Sequence, residues 1–178
     1  MPRPNFALGL LNVFGGIAVL GSYVSAFTGS SAFQDGLWGG VPVSLRSLYT
    51  VNMLLAAAGY FPFTWLFVVR TKPDEFHAIT GFRYALLFGL YALVLIGSAL
   101  WLPMTARMLL APDAQIWGGI RIVLALVGIG ATGILLLAFR VALTRGGAAS
   151  WAAAIGSIPF FTQTALLDAL IWPAYFPR

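Results

Sequence analysis

Cysteine is absent from the 178 residues, which removes disulfides, thiolate metal sites and cysteine nucleophiles and leaves the redox compartment open. There is one histidine, His77, so the chain alone cannot supply two axial histidines to a haem, and no serine or second base stands beside it in a recognisable triad. No phosphate-cradling G-x-x-x-x-G-K loop occurs either. Charge is the largest deficit. Only 8% of the residues are charged, whereas soluble domains carry roughly 25%, so there is too little polar surface to clothe a water-soluble globule. No connection is long enough for a soluble domain, and there is no linker, low-complexity tail or clear repeat.

What is present is apolar: 60% hydrophobic residues and a mean hydropathy of +0.91. The chain reads as an integral membrane protein whose first partner is the lipid bilayer. A net charge of +5 does not point to nucleic acid, because such a footprint needs Lys and Arg gathered on one face, and here they stand singly between apolar runs. Five runs are long enough to cross roughly 30 Å of hydrocarbon at 1.5 Å per helical residue. They fall at about 6–27, 47–69, 82–103, 117–139 and 150–172, predicting a single all-α domain, a bundle of five transmembrane helices. The first resembles a leader, with Arg3 ahead of it and Val24-Ser25-Ala26 as a candidate cleavage site, but its apolar core is too long and it is read as a span.

Orientation follows from the basic residues flanking the spans. Arg3, Arg70, Lys72, Arg83, Arg140 and Arg145 lie at one set of ends, and Arg46, Arg107 and Arg178 at the other. The bias predicts a cytoplasmic N-terminus and a non-cytoplasmic C-terminus. The loop LWGGVPVSLRSLY, residues 37–49, then lies outside the cytoplasm.

Small residues suggest how the spans pack, since helices in lipid need close backbone approach to attract one another. Gly15, Ala18, Ser22, Ala26 and Gly29 form one stripe in the first span. Gly118, Arg121, Ala125, Gly128 and Thr132 form another in the fourth, expected to face inward or to dock a membrane partner or a second copy. Arg121 is expensive in a span. The one acidic residue inside a span, Asp168, lies at a similar depth, so the two are candidates for a buried ion pair; the alternative is that Arg121 snorkels and Asp168 meets interfacial water. Asn52, Ser22 and Ser98 bring further polar groups to that level. Pro62 and Pro159 each remove a backbone donor within a span, and Pro103 does so late in the third. Tyr60, Phe61, Phe63, Trp65, Phe160 and Phe161 cluster near the first two, predicting kinks and an aromatic-lined cavity between them. Trp38, Trp101, Trp117 and Trp172 fall where an interfacial belt is expected.

Chemistry is thin. Pro73, Asp74 and Glu75 read as the start of an interfacial helix carrying His77, and no metal site or catalytic group is assigned. In the opening loop, Ser30 or Ser31 caps a short helix bearing Phe33, Leu37 and Trp38 that Gly39-Gly40 ends, which makes it a lid or an anchor.

Trp38, Pro42, Ser47-Leu48-Tyr49 and Met53, then Leu100-Trp101 with Pro103, and Pro159 with Leu166-Leu167 and Ala169, give the chain a layout that resembles the translocator protein or tryptophan-rich sensory protein family. The loop departs from that family in lacking its double proline and later tryptophans, and Asp168 stands where an asparagine is expected. The resemblance implies a membrane site for tetrapyrroles or other flat apolar ligands, closed by the first loop, with Trp38, Tyr49, Asn52 and Trp101 as contacts. Arg121 and Asp168 join them from the depth argument. Three functions remain open: a binder or carrier of a small apolar or amphipathic ligand, a non-catalytic subunit of a larger membrane complex, and a small enzyme acting on a lipid or isoprenoid through Asp168 or the Asp74-Glu75-His77 group. The cofactor, if any, is not legible.

Overall fold

A computed structural model describes residues 4–28 and 30–176, apart from the side chains of residues 25–27. Arg3, Arg178 and Gly29, and the side chains of Ser25 and Ala26, therefore lie outside the described residues. Every described element is helical: α1 (Pro4–Thr28), α2 (Ser31–Trp38), α3 (Val43–Trp65), α4 (Pro73–Thr80), α5 (Ala85–Leu110), α6 (Ala114–Arg145), α7 (Ala148–Phe161) and α8 (Trp172–Tyr175). Two π-helical stretches, Leu66–Arg70 and Thr162–Ile171, continue α3 and α7. Five helical units are long and apolar enough to cross a membrane. Backbone in hydrocarbon must satisfy its own hydrogen bonds, and a helix does so within the segment.

α3 lies against α7, α7 against α6, α6 against α5, and α5 against α1. The ring closes at the end that carries Arg70, where the Asn5 amide of α1 donates to the carbonyls of Val68 at 3.1 Å and Thr71 at 2.9 Å. Further along, the Tyr60 hydroxyl of α3 donates to Asn12 Oδ1 of α1 at 2.5 Å, beside an open groove lined by Val13, Phe61 and Trp65. α1 is the outlying helix. Phe6, Phe14, Ile17 and Leu20 on it are all exposed, which suits contact with acyl chains.

The spans run longer than their apolar cores suggest. α5 continues through Pro103 to Leu110, and α6 extends to Arg145. Polar caps set several ends: Asp113 accepts the N–H groups of Gln115 and Ile116 ahead of α6, and α4 begins at Pro73 as expected. α4 is held to α6 by an Arg145–Glu75 ion pair at 3.5 Å and by Arg140 Nε donating to the Ile79 carbonyl.

The small-residue stripes hold only in part. Gly15 does pack closely against Leu95, but Ala18 is exposed. On α6, Gly128 meets Ala165, whereas Arg121 and Ala125 are exposed and Gly118 has open space. The buried stripe is instead Ile120, Leu124, Val127, Ala131, Ile134, Ala138 and Val141. Gly128 and Gly130 are buried along with it, and Arg121, about 100° of helix turn beyond Ile120, is left outside. The closest backbone approach is elsewhere: a Cβ on Gly59 of α3 would come within 2.1 Å of the Gly156 carbonyl oxygen on α7.

Pro62 and Pro159 are each followed within a few residues by a π-helical stretch. Among the described residues, the expected aromatic-lined space is found only beside Pro62, where Tyr60, Phe61 and Trp65 line the open groove against α1; between α3 and α7 the rings pack on one another. Phe63 packs against Tyr60 and Phe160 with centroids 5.2 Å apart in each case, and Tyr60 sits 5.6 Å from Phe160.

Candidate functional site: a lidded cavity at the end opposite Arg70

The lid is α2. The Ser30 hydroxyl accepts the Phe33 N–H at 3.3 Å and starts the helix; Gly39, at φ +56°, ends it, a conformation that glycine adopts at no steric cost. Three bonds fix this segment and the start of α3 to the end of the last span. The Trp172 indole N–H donates to the Leu37 carbonyl at 3.0 Å, the Gly40 N–H to the Tyr175 carbonyl at 2.9 Å, and the Tyr49 hydroxyl to the Leu167 carbonyl at 3.0 Å. Gly40 is required by contact as well, since a Cβ there would lie 2.5 Å from the Tyr175 oxygen.

Beneath the lid is a cavity of about 300 Å³ lined by Tyr23, Gln34, Leu37, Trp38, Tyr49, Met53, Trp101, Leu102, Leu124, Gln163, Asp168 and Trp172. Its walls are held by ring contacts, Trp38 edge-on to Tyr49 and Trp101 to Trp172, each with centroids 6.0 Å apart. The Trp101 N–H reaches the Tyr23 hydroxyl at 3.4 Å. Behind the Trp172 wall, Trp117 and Phe176 stack at 5.2 Å.

A polar chain runs into this aromatic space. Asn52 Nδ2 donates to the Pro159 carbonyl and to Gln163 Oε1, both at 3.1 Å, and Gln163 Nε2 donates to Asp168 Oδ1 at 2.9 Å. Residues five apart do not face each other on an α-helix, where neighbours are three or four apart. The π-helix, bonded i→i+5, stacks them. The π-helical turn is therefore what turns Asp168 toward Gln163 and the cavity.

Four of the six residues singled out in the sequence, Trp38, Tyr49, Trp101 and Asp168, line this one cavity. Asn52 stands behind it and acts through Gln163. Arg121 does not join them. It is exposed and forms no ion pair among the described residues, so the buried Arg121–Asp168 pair is not formed. α6 carries the guanidinium outward about 10 Å from the helix start, at roughly 1.5 Å per residue, within reach of headgroups. Trp172 departs from the interfacial belt: it is 5% exposed. Arg46, in the first turn of α3 below the lid, is engaged. It pairs with Asp35 of the lid at 3.0 Å, donates to the Val41 carbonyl and lies 5.4 Å over the Trp38 ring.

Sequence reading missed Gln163, Tyr23, Met53 and Leu124. Gln163 carried the one usable signal, a polar side chain deep in an apolar run between Pro159 and Asp168. His77 is exposed near the far end, its Nδ1 3.2 Å from the Phe82 carbonyl, and no metal-ligand cluster is found among the described residues. No protein-family model matches the chain, and no match is found among curated proteins or solved structures.

Proposed function

We propose that this protein binds a small, flat, apolar or amphipathic ligand in the cavity under α2, as a membrane carrier or sensor. The observation that carries the reading is convergence: three tryptophans and two tyrosines from α1, the lid, α3, α5 and α8 surround one space, and one polar chain enters it. Ligand sites are mostly apolar pockets with a few placed polar groups, and about 300–1,000 Å³ is usual. At the lower end of that range the cavity suits a body of two or three fused rings better than a tetrapyrrole. The bias of basic residues assigns the end bearing Arg70, Lys72, Arg140 and Arg145 to the cytoplasm, so the lid opens to the other side.

The test is binding of 1-aminoanthracene to the protein in dodecyl maltoside, followed by energy transfer from the tryptophans with micelles alone subtracted. Trp38→Ala is expected to weaken binding at least fivefold while the helical circular dichroism signal persists. Transfer equal to that of an unrelated membrane protein rejects the reading. A subunit reading draws on α1, where Gly16 and Gly21 meet nothing within 4 Å. Under that alternative, Gly16→Leu and Gly21→Leu release a copurifying partner and Trp38→Ala changes nothing.

A further inference from the structure

The cavity is lined by one carboxyl side chain, that of Asp168. Gln163 donates to its Oδ1, and no cation lies within ion-pair distance of it among the described residues. None of the three described arginines at this end, Arg46, Arg107 and Arg121, pairs with it, and Arg107 is exposed. Arg121 points away from the bundle, and Arg46 is neutralised by Asp35 on the lid. A carboxylate in an aromatic, lipid-flanked space is costly unless it takes up a proton or a cation meets it, and a cationic ligand brings the second remedy with it. Around it stand Trp38, Trp101, Trp172, Tyr23 and Tyr49, and the faces of such rings attract cations. A bare divalent ion is a poor fit, because it demands about six oxygen ligands and one carboxylate is offered.

We propose that the cavity selects a monovalent organic cation, a protonated or quaternary amine on an apolar body, whose charge rests on Asp168 and whose substituents lie against the tryptophan and tyrosine rings. Resting on the binding reading above, this names the class of ligand. Asn52 and Gln163 then serve as positioning residues: the amide chain fixes which carboxylate oxygen is occupied and leaves the other to the ligand.

Equilibrium dialysis in dodecyl maltoside, a non-ionic detergent, compares benzyltrimethylammonium with neopentylbenzene, the uncharged isostere with carbon in place of nitrogen, and with benzylsulfonate. At matched free aqueous concentration the cation is expected to bind at least tenfold more tightly than either. Asp168→Asn is expected to remove that preference while the helical circular dichroism signal and the thermal unfolding midpoint in detergent persist, which shows the variant is folded. Equal or tighter binding of the isostere to the unaltered protein overturns the inference without any variant, as does an unchanged preference in Asp168→Asn. If 1-aminoanthracene binds and the cation does not, only this inference falls; if neither binds, the binding reading falls with it.

Discussion

Gly59 and Gly156 meet where α3 crosses α7, each occupying space the other's Cβ would need. The neighbour in that contact is backbone, which cannot rotate aside. Gly59→Ala is therefore expected to lower unfolding stability by about 3 kcal/mol, the upper part of the range for overpacking. Gly16→Ala, with nothing within 4 Å, should leave it nearly unchanged. Thermal unfolding in one detergent compares the two. At the same scale, Arg121 and Asp168 should behave independently: a double-mutant cycle to Leu and Asn is expected to show coupling within about 0.5 kcal/mol, and a coupling of several times that would reinstate the pair. Scarce residue types are what the sequence makes visible. Trp38, Tyr49, Trp101 and Asp168 stand out against an alanine- and leucine-rich ground, and depth in the span follows from counting. Which way a side chain points around the helix does not follow from counting. It depends on which neighbours bury the helix, and for that reason Arg121 was assigned inward and Trp172 outward.

For helices, number and approximate place are legible in the sequence; the ends of the spans and their winding are not. Five runs long enough to span are present in the amino-acid order, and so are the starts of α2 and α4 at Ser30 and Pro73. The ten-residue π-helical stretch Thr162–Ile171 has no such signature, because Pro159 marks only where the ladder is interrupted and the wider turn is stabilised by packing against α6 and α3. Its effect is large, since it makes Gln163 and Asp168 neighbours. Deleting Thr162, outside the pair, is expected to return the stretch to α-helical winding with Gln163 and Asp168 still five apart, and so to separate the two. The measurable result is loss of 1-aminoanthracene energy transfer in a protein that still inserts and remains helical; undiminished transfer would mean the π turn is incidental. For the lid, Ser30→Ala removes the cap of an eight-residue helix and is expected to cost about 1 kcal/mol. That loss is readable as faster hydrogen exchange of the Phe33 and Gln34 amides.

At the scale of the molecule, the charge bias predicts sidedness. A reporter inserted near Lys72 should be cytoplasmic and one fused after Arg178 should not be; both on one side would be incompatible with five spans. The lid adds a matter of timing. Trp172, whose indole holds the Leu37 carbonyl, lies 135 residues further along the chain, and Leu167 and Tyr175 supply the other two bonds. A ribosome delivers α2 long before these fastenings, so until the last span emerges the lid has only its contacts with α1, α3 and α5, among them Asp35 on Arg46 and Gly36 against Leu109, and the cavity is completed only as the fifth span enters the membrane. A ligand would thus report completed assembly: it stabilises the one state in which the earliest and latest parts of the chain have met.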